Sequence, residues 1–293
     1  MKTNIKPHIL FEVFGYPSVD LSEKAEEARR KHFCPFKASA GYSEKCTKDK
    51  ANDPLGVCTL EWEGNPITVC PYRFLEIPDL LETIAHELLG TTNFQLLPEI
   101  PLKDADNRVV GNLDSVLVVS SAGEVVDFVG VEFQSVYISQ NLRTYFEAYK
   151  ENPEKFLYER PILRTQRGTK VVPRPDFLSS VKRLNYQLLY KGAIFSTWRK
   201  KIAVVLQRPL WDTILDRGSS VLTPVDPQSS ECHLAWYIVD YDKHSKLAIK
   251  DKVCISFGEF KNKLFSNVEP QSIESYMDYL SERLRRALSK GGD

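Results

Sequence analysis

Two stretches of the chain place oxygen-bearing side chains among apolar residues. Asp114 stands in Gly-Asn-Leu-Asp-Ser-Val-Leu-Val-Val, and Glu132 and Gln134 stand in Asp-Phe-Val-Gly-Val-Glu-Phe-Gln-Ser-Val. In an extended strand, residues two apart share a face, so Glu132 and Gln134 point one way while Val131 and Phe133 point the other. A carboxylate in so apolar a strand is costly to bury unless a cation or an ion pair compensates it. Asp114, on the partner strand of a hairpin, can reach the same face, and two such carboxylates make a hard-oxygen site suited to Mg²⁺. A cation there could acidify a water and neutralise charge growing on a scissile phosphate, with the Gln134 amide orienting the water. The competing reading of Glu132 is an ion pair with an arginine from a long helix downstream.

A second set is soft rather than hard. Cys34, Cys46, Cys58 and Cys70 recur at intervals of twelve residues, without the Cys-x₂-Cys spacing of common zinc modules. Core cysteines are the plain alternative. Against it, four of the six cysteines fall within 37 loop-rich residues, where a tetrahedral thiolate site would staple the chain; sulfur ligands select zinc or iron without deciding between them. Cys232 and Cys254 lie in apolar stretches and read as core. No secretory signal opens the sequence and no apolar run reaches membrane-spanning length, so the expectation is a cytoplasmic protein with no membrane partner and no disulfides.

These residues need elements to hold them. Residues 1–75 read as a loop-rich cysteine region with one helix at 22–32, and residues 76–293 as a second, α/β domain. Helical spacing marks 78–89, 141–150, 177–198 and 271–288, and apolar runs mark strands at 111–119, 125–136, 201–207, 234–241 and 253–257. The order helix, hairpin, helix, strand predicts a mixed sheet with helices on its faces. Net charge is zero, with 39 basic and 39 acidic residues, yet twelve basic residues between 155 and 201 face only Glu159 and Asp176, a local excess of +10. Such polarity suits displacement of counterions from phosphates; Arg160, Arg164, Arg167, Lys170 and Arg174 are the candidates for backbone contacts to DNA. A solvated face is the bland alternative.

The strand-borne Asp followed by Glu-x-Gln resembles the PD-(D/E)xK nuclease superfamily, with Asp114 as the first acid, Glu132 as the second, and Gln134 where that pattern has lysine. A neutral amide cannot acidify a water by charge, so this departure leaves more of the activation to the metal. Further segments resemble the NotI family of type II restriction endonucleases: Phe14-Gly15-Tyr16-Pro17, Cys34-Pro35-Phe36, Asp53-Pro54-Leu55-Gly56-Val57-Cys58, Cys70-Pro71-Tyr72-Arg73-Phe74, Pro98-Glu99, and the Asp114 and Glu132 motifs. The likeness is distinctive over roughly residues 10–140 and vague beyond 210. It implies a PD-(D/E)xK mixed-sheet core flanked by helices, preceded by a loop-rich four-cysteine metal-binding region, in a homodimer that uses Mg²⁺ to cut double-stranded DNA at a GC-rich palindrome. It adds Glu99 to the active site, accepts Gln at the lysine position, and assigns Cys34, Cys46, Cys58 and Cys70 to a structural iron, where the residues alone leave zinc and iron tied. Two other readings share these motifs: a non-cleaving thiolate-metal DNA-binding regulator, in which Asp114 and Glu132 are structural, and a non-specific repair or defence nuclease.

Overall fold

A computed structural model of the protein describes residues 9–159, 168, 173–216, 222–265 and 272–290. The chain opens with β1 (Leu10–Val13) and β2 (Tyr16–Pro17), then α1 (Glu23–Lys31), where the Ser22 hydroxyl accepts from the Ala25 N–H as an N-cap. After α2 (Pro35–Ser39) come β3 (Val57–Trp62), β4 (Asn65–Thr68) and a 3₁₀ turn, Pro71–Glu76. These strands form an antiparallel sheet in the order β2-β1-β3-β4, which corrects the expectation that loops dominate this region. The strands are short, and β1 pairs with β3 more than forty residues downstream, so no local alternation announces them.

The main sheet follows. Its elements are α3 (Leu80–Leu89), β5 (Gln95–Lys103), β6 (Val109–Ser121) and β7 (Glu124–Gln134), then β8 (Ile138–Ser139), α4 (Leu142–Glu151), α5 (Pro153–Glu159), β9 (Arg174–Pro175) and α6 (Phe177–Trp198). After α6 the chain runs through β10 (Lys201–Gln207), α7 (Arg208–Asp216), β11 (Leu234–Tyr241), β12 (Leu247–Ile255), α8 (Phe257–Phe265) and α9 (Ile273–Lys290). Six strands pair in the order β12-β11-β10-β7-β6-β5. The central pairs β7–β10 and β10–β11 are parallel and the outer ones antiparallel, giving the mixed α/β architecture the element order predicts. Strands covered on both faces carry unbroken apolar runs, and Ile202–Leu206 and Leu234–Val239 are buried throughout. Helix α6 covers the face that bears Gly130, where a Cβ would meet Phe195 at 3.0 Å; α3 and the 3₁₀ turn pack on the opposite face, Phe74 stacking on Phe133.

Polar groups tie the two sheets together. The buried Gln207 accepts from the Thr68 N–H at 2.9 Å and donates to the Pro66 carbonyl at 2.8 Å. The Tyr241 hydroxyl lies 3.0 Å from both the Thr59 and Thr68 hydroxyls. One apolar core runs through both sheets. Cys232 and Cys254 are buried, as expected of core residues, but they are also joined as a disulfide, which the sequence reading excluded; the return of β12 alongside β11 brings their Cα atoms to 5.6 Å, within bridging range. Among the described residues no helix is long and apolar enough to cross a membrane.

Candidate active site

The site forms where the main sheet forks. Pairing between β6 and β7 stops at Ser115–Val131. Beyond that pair β6 continues with β5 as its partner, and β7 continues with β10, setting Glu132 beside Val204 and Gln134 beside Leu206. A fork leaves backbone groups without ladder partners, and buried ones must be satisfied another way. The Phe133 N–H is taken by Asp114 Oδ2 at 2.7 Å. That bond draws the Asp114 side chain across the fork to Glu132, so the pairing break brings the two carboxylates together.

Glu132 is 5% exposed. Its Oε1 accepts from Lys191 Nζ at 2.5 Å, and the same ammonium donates to the Asn112 carbonyl at 2.7 Å. The lysine arrives from α6, its stem passing over Gly111, where a Cβ would stand 3.3 Å from Lys191 Cε. The competing reading of Glu132 as an ion-pair partner of the long helix is thus met, though by a lysine rather than an arginine. The pair does not settle the site's charge. Burial, and after it the Asp114 carboxylate, push the Glu132 pKa up to about 8 despite Lys191. Asp114 is raised as well, chiefly by burial, with the Phe133 N–H opposing. Two desolvated carboxylates against one ammonium are short of positive charge, and a divalent cation would supply it.

Glu99, flanked by Pro98 opposite Ser115 and Ile100 opposite Leu113, lies across β5–β6 from Asp114. Its backbone is left-handed (φ 52°) and its side chain exposed. Its Oε1 accepts from the Tyr72 hydroxyl at 3.1 Å. Tyr42 stands edge-on to Tyr72 and shares a 2.5 Å hydrogen bond with Ser115, next to Asp114. Gln134 is half-buried and donates to the Ser135 carbonyl at 2.6 Å. It opens onto a cavity of about 430 Å³ that Lys48, Tyr137, Arg143 and Arg183 help to line.

The four candidate cysteines are all buried. Burial is the first cause of the raised thiol pKa values: Cys34 is pushed up to about 11, Cys46 is raised and Cys58 well raised, and charges on the other cysteines add to each. The four sulfurs therefore lie within electrostatic reach of one another. Among the described residues, however, no three His, Cys, Asp or Glu side chains are gathered in an arrangement that could hold a metal. Asp114 and Glu132 form a pair rather than such a group, and Mg²⁺ is an ion that commonly takes one or two carboxylates and fills its sphere with waters and phosphate oxygens. As the side chains stand, the thiols fall short of the closed tetrahedral set that zinc or iron takes.

Of the phosphate-contact candidates, Arg174 is exposed on β9, while Arg160, Arg164, Arg167 and Lys170 lie outside the described residues. The basic segment is not one solvated surface: Lys191 is buried at Glu132 and Lys200 pairs with Asp127 at 2.5 Å. Lys191, Tyr72 and Tyr42 went unnoticed as site residues in the sequence. For Lys191 a signal exists, since Val181, Leu184, Leu188, Lys191 and Phe195 share the buried face of α6 at helical spacing, and a lysine on an apolar stripe needs an anion.

A search of curated proteins finds no match. The family profile described as restriction endonuclease NotI matches residues 18–250, which takes in β3, β4, the main sheet as far as the start of β12, the fork and all four candidate cysteines. The chain therefore belongs to the NotI family of restriction endonucleases, and its activity is that of a site-specific deoxyribonuclease.

Proposed function

We propose that the protein is a Mg²⁺-dependent type II enzyme that cuts both strands of a GC-rich palindrome as a homodimer, with Asp114, Glu132, Glu99 and Gln134 as its active site on a PD-(D/E)xK core. The observation that carries this reading is the carboxylate pair at the fork, buried against a single lysine. Asp114 and Glu132 would hold Mg²⁺, with Glu99 at the exposed rim assisting. When bound, the ion supplies Lewis acidity at the scissile phosphate and acidifies the attacking water. Lys191 fixes Glu132 by bonding one oxygen and leaving the other to the site. Gln134, its amide nitrogen held by the Ser135 carbonyl, would accept from the water through Oε1 and so aim it. Arg160, Arg164, Arg167, Lys170 and Arg174 would neutralise backbone phosphates, and arginine donors to guanine O6 and N7 suit a GC-rich site. Two-fold DNA symmetry calls for a two-fold enzyme.

Residues 1–75 would then serve as the cysteine-bearing region and 76–293 as the nuclease domain, acting in the cytoplasm. Buried and within electrostatic reach of one another, Cys34, Cys46, Cys58 and Cys70 are the proposed ligands of a structural iron, with zinc as the alternative, although as the side chains stand they do not form a closed set. Metal analysis of the purified protein tests this directly. About one equivalent of iron or zinc, lost with a drop in Tm in Cys58→Ser, supports the site; metal-free wild-type protein overturns it.

The function is tested by digesting GC-rich genomic DNA with the purified protein, in Mg²⁺ and in EDTA. Discrete fragments only in Mg²⁺ are expected. A smear would leave a non-specific nuclease, and intact DNA with a Mg²⁺-independent mobility shift would leave a binding protein.

A further inference from the structure

Arg183 stands on the outer side of α6, and Tyr137 ties it to the neighbourhood of Gln134. The Tyr137 N–H donates to Ser180 Oγ at 2.8 Å and its carbonyl accepts from the Asp176 N–H at 2.8 Å. The Arg183 guanidinium lies over the Tyr137 ring, 4.2 Å from its centroid. The start of α6 is thereby fixed to the chain that leaves β7 just past Gln134, and Arg183 and Gln134 line the same cavity of about 430 Å³. Two further bases line it and are already engaged. Arg143 binds Asp49 at 2.6 Å and Asp53 at 2.8 Å, and Lys48 Nζ donates to the Val57 and Val69 carbonyls. Arg183 is exposed and, among the described residues, has no acid paired with it. An aromatic face attracts the cation electrostatically and leaves its N–H donors for another ligand.

The rest of that side of the helix agrees. Arg183, Tyr186, Gln187 and Tyr190 fall within about 100° of arc at helical spacing. All are exposed, Tyr186 by 64% and Tyr190 by 51%. α6 contains no Asp or Glu, and Asp176 before it is turned onto the Ser179 N–H as N-cap. Every side chain of the stripe can donate a hydrogen bond and none is anionic, which is the character of a surface that lies along phosphates. We propose that substrate DNA lies against this face of α6, with Arg183 bound to the backbone phosphate adjoining the scissile one. The proposal deepens the reading above and rests on Gln134 belonging to the active site. One helix would then hold Glu132 through Lys191 on its buried side and grip the strand to be cut on its outer side.

The test is a mobility shift of short GC-rich duplexes against KCl concentration, in EDTA so that no strand is cut. Arg183→Gln should make the slope of log K against log salt shallower by about 1, the counterions of one phosphate contact, and raise Kd at least about tenfold. Gln187→Glu, which puts an acid on a face that has none, should weaken binding in the same direction, with Tm unmoved in both variants. An unchanged slope in Arg183→Gln overturns the phosphate contact. So does an unchanged slope accompanied by additional fragments in a Mg²⁺ digest, which would make Arg183 a base reader instead. Undiminished binding by Gln187→Glu overturns the face. The expected losses of binding in a protein whose wild type cuts nothing in Mg²⁺ would sink the nuclease reading above and leave the α6 surface standing.

Discussion

The chain buries two clusters in which a pair of carboxylates meets a basic side chain, and they differ in charge balance. Around Arg73, Glu12 accepts from Nε at 2.7 Å, Glu76 binds Nη1 and also takes Lys246 Nζ at 2.9 Å, and the guanidinium stacks over Phe36 and Tyr241. Two acids meet two bases. Burial pulls Glu76 up, but its hydrogen bonds to Arg73 and Lys246 outweigh that and leave it below the usual carboxylate range. At the fork, Asp114 and Glu132 share Lys191 alone, and Glu132 is driven up to about 8. The Arg73 cluster locks the two sheets together with as many bases as acids, although burial raises Glu12 even beside Arg73. The Lys191 cluster has one base for two acids, and with both acids ionised it carries the negative surplus that the proposed Mg²⁺ would balance.

The largest effect should come from removing that surplus. Glu132→Ala is expected to lower cleavage on the order of 10³-fold or more, since the loss falls on the reacting centre, while specific DNA binding stays within about tenfold. A variant that loses binding in proportion to cleavage would return Glu132 to a structural role and erase the contrast with Glu12. The next test works on stability. Breaking a buried pair strands its partner, at a cost of about 3–5 kcal/mol, so Arg73→Met and Lys191→Met should both shift the urea midpoint strongly. Saturating Mg²⁺ should return part of the loss in Lys191→Met and none in Arg73→Met. Equal responses of the two variants to Mg²⁺ would mean that the clusters do not differ in kind.

The contrast also has a pH signature. An acid whose folded-state pKa lies above its unfolded value binds more protons folded than unfolded, so its contribution to stability declines as pH rises from about 4.5 to about 8. Mg²⁺ must displace that proton. The rise in Tm on adding Mg²⁺ should therefore grow from pH 6 to pH 8 and level off above. A constant Mg²⁺ increment across that range would show that Glu132 is already ionised in the free protein and that Lys191 alone balances it.

What the sequence shows of this arrangement follows the range of the interactions involved. Helix α6 and strands β10 and β11 have the bounds that periodicity gives, because each is long and uniformly patterned. The Asp114 and Glu132 strands were legible for the opposite reason: an acid inside an apolar run breaks the pattern. Lys191 was hidden because it sits in a stretch crowded with bases, where its place on the apolar face of α6 counted for less than its charge. The N-terminal sheet was hidden because β1 pairs with β3 across more than forty residues of intervening chain. Tyr72 and Tyr42 meet β5 and β6 through the same long-range closure, which no local spacing encodes.

Those tyrosines supply the smallest and most diagnostic effect. Tyr72 is carried by the cysteine-bearing region, two residues after Cys70, and its hydroxyl reaches Glu99 on β5. If that region only stabilises the fold, Tyr72→Phe should change little, because the ring stays in place against Tyr42 and only a partly solvated hydrogen bond is lost, about 0.5–1.5 kcal/mol. If instead the region helps to aim Glu99, the same substitution should lower the single-turnover cleavage rate by up to about tenfold, with Tm and DNA affinity unmoved. Tyr42→Phe, which loses the bond to Ser115 beside Asp114, makes the parallel case one strand further in. A fall in rate for both without a fall in stability would make the cysteine-bearing region a working wall of the active site; a fall in Tm that accounts for the whole loss of rate would confine it to scaffolding.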